Sequence, residues 1–145
     1  MTNLKTPLEA NGLQSLEDVT KNMDYVILDT SSIIFSLSNK RDILMSIRDR
    51  FPNSRILVSD GVLGELKKLS SGRSRYAKYA AVAISLLNRY DNVKVAKNSS
   101  YVDKWIIREA SKLGAVVCSN DIKLKRALKA AGISTISVSR DGSLR

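Results

Sequence analysis

Four acidic side chains stand where predicted strands end or on predicted helix faces that border a core. Asp29 closes the first apolar segment of the chain, and Asp121 follows the fourth such segment at the start of a helix. Glu65 lies at the edge of the apolar stripe of one helix, and Asp103 falls on the apolar face of another. A charge beside a core is costly unless something compensates it, so these four positions are candidates for chemistry.

Each position also has an ordinary structural explanation. Asp29, Asp103 and Asp121 could each cap a turn or a helix N-terminus, and Glu65 could extend to solvent. Taken together, four carboxylates near the carboxyl ends of parallel strands repel one another and raise one another's pKa unless a cation neutralises them. Carboxylates without imidazole or clustered thiolates suit hard cations, so the set indicates a Mg²⁺ or Mn²⁺ site.

The composition excludes several other kinds of chemistry. The chain has 145 residues and no histidine, which excludes a Ser-His-Asp or Cys-His catalytic unit and any histidine metal ligand. Its single cysteine, Cys118, excludes an internal disulfide and a zinc site built from several cysteines of one chain. Acid–base or metal chemistry must therefore depend mainly on carboxylates.

The charge is strongly basic and unevenly distributed. The net charge is +10, and it is concentrated in residues 40–79, with ten basic and four acidic residues, and 104–145, with nine and three. Two basic blocks favour a polyanionic partner, although a merely basic solvated surface is the simpler alternative. No apolar run approaches the ~20 residues of a membrane span, and residues 1–12 lack signal-peptide features. We therefore expect a cytoplasmic protein with no membrane partner.

Strands and helices alternate along the chain. Apolar runs predict strands at 25–30, 55–59, 93–96, 115–119 and 133–139. Helical patterns occupy 41–50, 60–69 (with Asp60 as its cap), 74–90, 103–113 and 121–130. This alternation predicts an α/β fold with a central parallel sheet of about five strands flanked by helices, an α/β/α sandwich. Residues 1–22 are expected to be a flexible N-terminal leader, and 23–145 a single domain.

Four short motifs carry a resemblance to the PIN-domain family of metal-dependent ribonucleases. The family's Asp-Thr/Ser-Asn/Ser stretch after the first strand is matched at 29–31, and its helical Glu-Leu pair at 65–66. Its Asp with Ile at +3 and Ala at +7 is matched at 103–110, and its Thr-Asn-Asp with Leu at +3 at 119–124, where Ser119 replaces Thr. The chain resembles most the Fcf1-like branch that processes ribosomal RNA, and next the VapC-type toxins.

The resemblance implies a Mg²⁺- or Mn²⁺-dependent endoribonuclease of PIN-like fold, acting in rRNA processing and ribosome biogenesis. Asp29, Asp103 and Asp121 are then the metal ligands, and Glu65 holds a second metal or orients the attacking water. Hydroxyl and amide groups are expected to brace the carboxylates, and these are Ser31, Ser119 and Asn120. The alternatives left open are a toxin ribonuclease held by an antitoxin peptide and a non-catalytic RNA-binding scaffold of ribosome assembly.

Further residues are candidates for partner contacts. Basic side chains after Glu65 are candidates for RNA backbone contacts, namely Lys67, Lys68, Arg73, Arg75 and Lys78. Tyr76 and Tyr79 could stack on bases or simply pack the helix. Trp105 is placed by helical periodicity about 200° from Asp103, on the outer face, where it could serve a homodimer interface or cover nearby core.

Overall fold

The computed structural model of the protein describes residues 24–98 and 100–145. The predicted leader at 1–22 lies outside these residues. The described strands are β1 (Asp24–Leu28), β2 (Ser54–Ser59), β3 (Val93–Ala96), β4 (Val116–Cys118) and β5 (Thr135–Ile136). The described helices are α1 (Thr30–Ser38), α2 (Ile43–Arg50), α3 (Asp60–Ser70), α4 (Ala77–Arg89), α5 (Val102–Leu113) and α6 (Ile122–Ala130). None of these helices is long and apolar enough to cross a membrane.

The five strands form one parallel sheet in the order β3-β2-β1-β4-β5. The central strand β1 pairs with β2 on one side and with β4 on the other. Its residues Val26, Ile27 and Leu28 are fully buried, as expected for a strand covered on both faces. The predicted α/β fold with a five-stranded parallel sheet is confirmed, and the carboxyl ends of all strands share one edge.

Two hydrophobic cores lie on opposite faces of the sheet, because side chains alternate along each strand. Val26 and Leu28 point into the core that α1, α2, α3 and α4 cover. Ile27, between them, points into a second core under α5 and α6. Helices therefore cover both faces, and the elements that carry the four acids converge on one edge from both layers.

Helix α1 is the element that the sequence patterns missed. Its sequence, TSSIIFSLS, is rich in serine and β-branched residues, which are poor helix formers. The helix is stabilised instead by its N-cap, Asp29, whose side chain accepts a hydrogen bond from the Ser32 amide. Burial of Ile33 and Ser36 holds its inner face against the sheet. A second difference lies in α3, which is capped by the Ser59 side chain and not by the predicted Asp60.

The prediction that Trp105 lies on the outer face of its helix is wrong. Its side chain is only 3% exposed and packs in the second core with Ile106 and Ala110. The buried face of α5 is thus rotated towards Trp105, which leaves Asp103 at the rim of that face and exposed. An interface built on Trp105 is excluded by its burial, whereas the rim position points Asp103 towards the carboxyl edge of the sheet.

Two glycines of α3 provide a matched stability test. A Cβ on Gly61 would lie 2.7 Å from Val102 Cγ2 and 2.8 Å from Asn98 Oδ1, whereas a Cβ on Gly64 meets nothing within 4 Å. We expect Gly64→Ala to raise the free energy of unfolding by about 0.5–1 kcal/mol, because alanine favours the helix. Gly61→Ala should lower it by about 1–3 kcal/mol through overpacking. Urea denaturation checks both, and equal effects of the two substitutions would contradict the close approach at Gly61.

The single thiol of the chain is predicted to be inert in the folded state. Burial raises the pKa of Cys118 to about 12, and the nearby Asp29 charge adds to this shift. At pH 8 the native protein should hold roughly a thousandfold less thiolate than a thiol of ordinary pKa, so reaction with a disulfide reagent should be correspondingly slow. Full reactivity should return in urea, and rapid labelling of the native protein would show that β4 is not buried as described.

Candidate active site: a carboxylate cluster at the carboxyl edge of the sheet

The Asp29 carboxylate links three elements at the end of β1. It is buried, with 7% of the residue exposed. Its Oδ1 accepts from the Ser32 amide at 3.0 Å and from the Ser31 hydroxyl at 2.8 Å, while its Oδ2 accepts from the Ser119 hydroxyl at 2.6 Å. A carboxylate has about four lone-pair positions, so these three hydrogens leave one for a further ligand. Asp29 is therefore both a helix cap and a fixed anionic donor.

Ser119 connects Asp29 to the second acid of the edge. Its hydroxyl donates to Asp29 and accepts from the Asp121 amide at 3.0 Å. Asp121 caps α6, because its Oδ1 accepts from the amides of Lys123 at 2.9 Å and Leu124 at 3.1 Å. Capping fixes one carboxylate oxygen of Asp121 and leaves the side chain exposed at the edge. The sheet neighbours β1 and β4 thus carry two acids joined through one buried hydroxyl.

Glu65 reaches the same edge from the other layer. Thr30, directly after Asp29, donates its hydroxyl to Glu65 Oε1 at 2.6 Å. That bond orients an otherwise exposed side chain of α3 towards the start of α1. Sequence reasoning did not include Thr30 among the site residues, although it is the second residue of the motif at 29–31. A hydroxyl directly after a strand-end aspartate is the signal that could have identified it.

The raised pKa of Asp103 indicates that this carboxyl lies within electrostatic reach of the other three acids. The surrounding protein raises the pKa of this carboxyl by desolvation, and the charges of Asp121, Asp29 and Glu65 raise it further. Lys123 acts in the opposite direction. The fold therefore brings the like charges of Asp29 and Asp103, 74 residues apart in sequence, together at the edge of the sheet. Such a group is stabilised by a cation.

The donor chemistry of the cluster fits a hard divalent cation. All four side chains offer carboxylate oxygens, the ligand class of Mg²⁺ and Mn²⁺. Over residues 24–98 and 100–145, no three acidic or cysteine side chains are close enough together to enclose one ion. Mg²⁺ is commonly bound through one or two carboxylates while it retains several waters and contacts substrate phosphates, so an ion bound here would reach the other acids through water or substrate.

The groups predicted to brace the acids differ in what they contact. The Ser31 hydroxyl reaches both oxygens of Asp29, and Ser119 joins Asp29 to Asp121 as described. The Asn120 side chain instead holds the backbone of Val138, accepting from its amide at 3.0 Å and donating to its carbonyl at 2.8 Å. Only the backbone N–H of Asn120 faces the site, where it donates to the Ser31 hydroxyl at 3.0 Å. Asn120 therefore anchors the C-terminal segment rather than a carboxylate.

The basic residues predicted to contact RNA are exposed on α3, on α4 and in the connection between them. These residues are Lys67, Lys68, Arg73, Arg75 and Lys78. Tyr76 is half-buried, and Arg75 lies over its ring with 5.0 Å from the guanidinium carbon to the ring centroid. Tyr79 is also half-buried. The tyrosines thus serve local packing at least in part, and RNA contacts by the five cations remain a prediction.

The parallel fold and an acidic edge on a basic chain define a class of small α/β proteins with a carboxylate site. Residues 26–141 match the model of a family described as PIN like domain, and the chain belongs to that family. A curated relative is the ribonuclease VapC9 of Archaeoglobus fulgidus, which is 33% identical over 108 residues. The match covers 74% of this chain and 77% of the relative. The predicted family is thereby confirmed, and the two branches named for it remain to be separated.

Solved structures with the same fold include the PIN domain endonuclease Utp24, with a TM-score of 0.67 and 24% identity over 83% of this chain and 89% of that one. A domain of a functionally unknown protein from Methanocaldococcus jannaschii has a TM-score of 0.60 and 18% identity, covering 80% and 91%. VapBC-1 from nontypeable Haemophilus influenzae has a TM-score of 0.53 and 21% identity, covering 77% and 96%. At these identities the likeness concerns the fold alone.

Removal of the Ser119 hydroxyl tests the link between the two acids. In Ser119→Ala, Asp29 loses a short hydrogen bond and the Asp121 amide loses its acceptor, at a fully buried position. We expect the free energy of unfolding to fall by about 1.5–3 kcal/mol, the range for hydrogen bonds to charged groups. Ser111→Ala, on the exposed face of α5, is the control and should change little. Similar urea midpoints for both variants would show that Asp29 does not depend on Ser119.

Proposed function

We propose that the protein is a metal-dependent endoribonuclease that hydrolyses RNA phosphodiester bonds and leaves 5′-phosphate and 3′-hydroxyl ends. The observation that carries this proposal is the convergence of acids at one edge of the sheet, where Ser119 joins Asp29 to Asp121 and Thr30 donates to Glu65, on a chain of net charge +10. An acidic pocket alone repels RNA, whereas an acidic pocket with a bound cation and a basic surround attracts its phosphates.

We assign the four acids different roles according to their positions. Asp29, Asp103 and Asp121 would hold Mg²⁺ or Mn²⁺, at most two of them directly and the rest through water, and Glu65 would hold a second ion or orient the attacking water. A bound divalent ion supplies a more acidic water and neutralises charge on the phosphoryl oxygens. Ser31 and Ser119 keep the Asp29 oxygens in place through hydrogen bonds of 2.6–2.9 Å, so that no reorganisation is needed at the reaction.

Thr30 and the exposed basic side chains have supporting roles in this mechanism. The Thr30 hydroxyl fixes one oxygen of Glu65, which leaves the other to accept a proton from water or to hold an ion. Flanking phosphates are held by exposed lysines and arginines, whose contacts position the strand without reading its sequence. The absence of histidine throughout the chain agrees with this scheme, since every proton-accepting role in it falls to a carboxylate.

Two biological roles for the proposed ribonuclease are supported by different observations. The sequence motifs favour precursor ribosomal RNA, with the protein acting in ribosome biogenesis. The 33% identity to the ribonuclease VapC9 favours a toxin-type ribonuclease whose activity an antitoxin peptide restrains. Mapping of the new 5′ ends in total RNA separates them, because processing predicts sites confined to precursor rRNA. Growth arrest on expression, relieved by a small co-encoded protein, supports the toxin.

Metal-dependent cleavage tests the proposed activity. The wild type should cleave a structured RNA with Mn²⁺ or Mg²⁺ and not with EDTA. Asp29→Asn should lower the cleavage rate by at least about a hundredfold, since even the loss of an outer-sphere group at a metal site costs 10–100-fold. Asparagine caps a helix as well as aspartate does, so α1 should remain folded in this variant.

Asp49→Asn is the matched control, because Asp49 is an exposed residue of α2. It should cleave at the wild-type rate. Cleavage that persists in EDTA, or in Asp29→Asn at the rate of the control, contradicts the proposed mechanism. Salt-sensitive RNA binding without any cleavage by the wild type supports the non-catalytic scaffold instead.

A further inference from the structure

An open surface cavity of about 610 Å³ lies at the start of α5, the helix that carries Asp103. It is lined by Asn98, Ser100, Tyr101, Val102 and Lys104. None of the four acids lines the cavity, but Asp103 lies between Val102 and Lys104 in the first turn of α5, so the cavity neighbours the acidic edge through this turn. Its volume is within the 300–1,000 Å³ typical of small-molecule sites.

Tyr101 is a large aromatic residue that the fold leaves outside its cores. It is 81% exposed, which makes it the most exposed of the large hydrophobic residues in the described part of the chain. Lys104 lies over one face of the ring, with 6.0 Å from the ammonium nitrogen to the ring centroid, which leaves the other face for a base. An exposed ring with an adjacent cation is the combination by which proteins bind single-stranded nucleic acid, through base stacking and a phosphate contact.

Described residues on both sides of Tyr101 are held by hydrogen bonds. Asn98 Oδ1 accepts from the Gly61 amide at 2.9 Å, and Asn98 Nδ2 donates to the Ser100 carbonyl at 2.7 Å. The backbone N–H of Asn98 donates to Asp60 Oδ1 at 3.1 Å. On the other side, the Trp105 amide donates to the Tyr101 carbonyl at 2.9 Å. The exposure of the Tyr101 ring therefore occurs on an anchored backbone, which lowers the entropy cost of binding a ligand.

We propose that this cavity is a nucleotide subsite, in which Tyr101 stacks on an unpaired base of the RNA and Lys104 contacts the adjoining phosphate. The subsite rests on the proposed ribonuclease function and extends it, because it selects a single-stranded nucleotide next to the bond that is cleaved. A paired base does not offer its face to a ring, so an RNA that is unpaired at this position binds in preference to a duplex. Asn98 and Ser100 supply polar groups at the wall of the cavity.

Binding of a short, unstructured, fluorescein-labelled RNA, measured by anisotropy in EDTA, tests the subsite without cleavage. Tyr101→Ala should raise Kd by about tenfold, within the range measured for one base–aromatic stack. Tyr101→Phe and Tyr101→Trp should bind within about twofold of the wild type, because both retain a ring. Met45→Ala, which truncates an exposed side chain on α2, is the control and should bind as the wild type does.

Lys104→Gln should lower the salt dependence of binding by one phosphate contact, a change of about 0.7 in the slope of log K against log salt. Lys112→Gln, at the other end of α5, is the control and should keep the wild-type slope. All of these substitutions are at exposed positions, so the stability of the fold should change little, and thermal melting checks this.

The outcomes separate the subsite from the proposed function. Tyr101-dependent binding without metal-dependent cleavage retains the subsite and rejects the ribonuclease. Cleavage by the wild type, with Tyr101→Ala binding as tightly as Met45→Ala, rejects the subsite alone. A loss in Tyr101→Phe equal to that in Tyr101→Ala overturns stacking, since the hydroxyl is then responsible. A Tyr101 dependence seen only for a protein partner also overturns the subsite, and failure of the wild type to bind RNA both in EDTA and with Mg²⁺ rejects both proposals.

Discussion

One buried carboxylate holds together the part of the molecule on which the site depends. Asp29 follows the central strand β1 and caps helix α1. It also accepts a hydrogen bond from the hydroxyl of Ser119, the residue that follows the neighbouring strand β4. A buried charge is costly unless its lone pairs are satisfied, and here three donors from two elements meet that requirement. The same bonds that allow the charge to be buried also fix its direction, so stability and positioning have one cause.

The remaining acids extend this arrangement at an electrostatic cost. Each approaches the edge on its own element, and each additional negative charge makes the next less favourable. Burial raises the pKa of Asp103, and the charges of the other three acids raise it further. The fold offsets part of the cost locally, since Thr30 donates to Glu65 and the first amides of α6 donate to Asp121. The rest is left to whatever positive charge enters the edge, and on the proposed function that charge is a divalent cation.

Much of this architecture could be read from the sequence, and the exceptions have physical reasons. Fully buried strands are continuous apolar runs, and the stop of α5 at Gly114 follows from its left-handed conformation, so both were predictable. Helix α1 was not, because a cap and tertiary burial stabilise it against its own propensities. Trp105 was misplaced because a helical wheel gives relative angles and not the side that the core covers. The Ser119–Asp29 bond joins residues 90 positions apart and has no local signature.

The topology also determines when the site can exist. Its acids are spread from residue 29 to residue 121, and the central strand borders one neighbour from the first half of the chain and another, β4, from the last quarter. A chain still in synthesis before residue 119 lacks Ser119 and Asp121 and leaves one side of β1 without its partner. Assembly of the acidic edge therefore cannot be completed before residue 121 has been synthesised. On the proposed function, a cell that makes this protein meets no active nuclease until almost the whole domain has been produced.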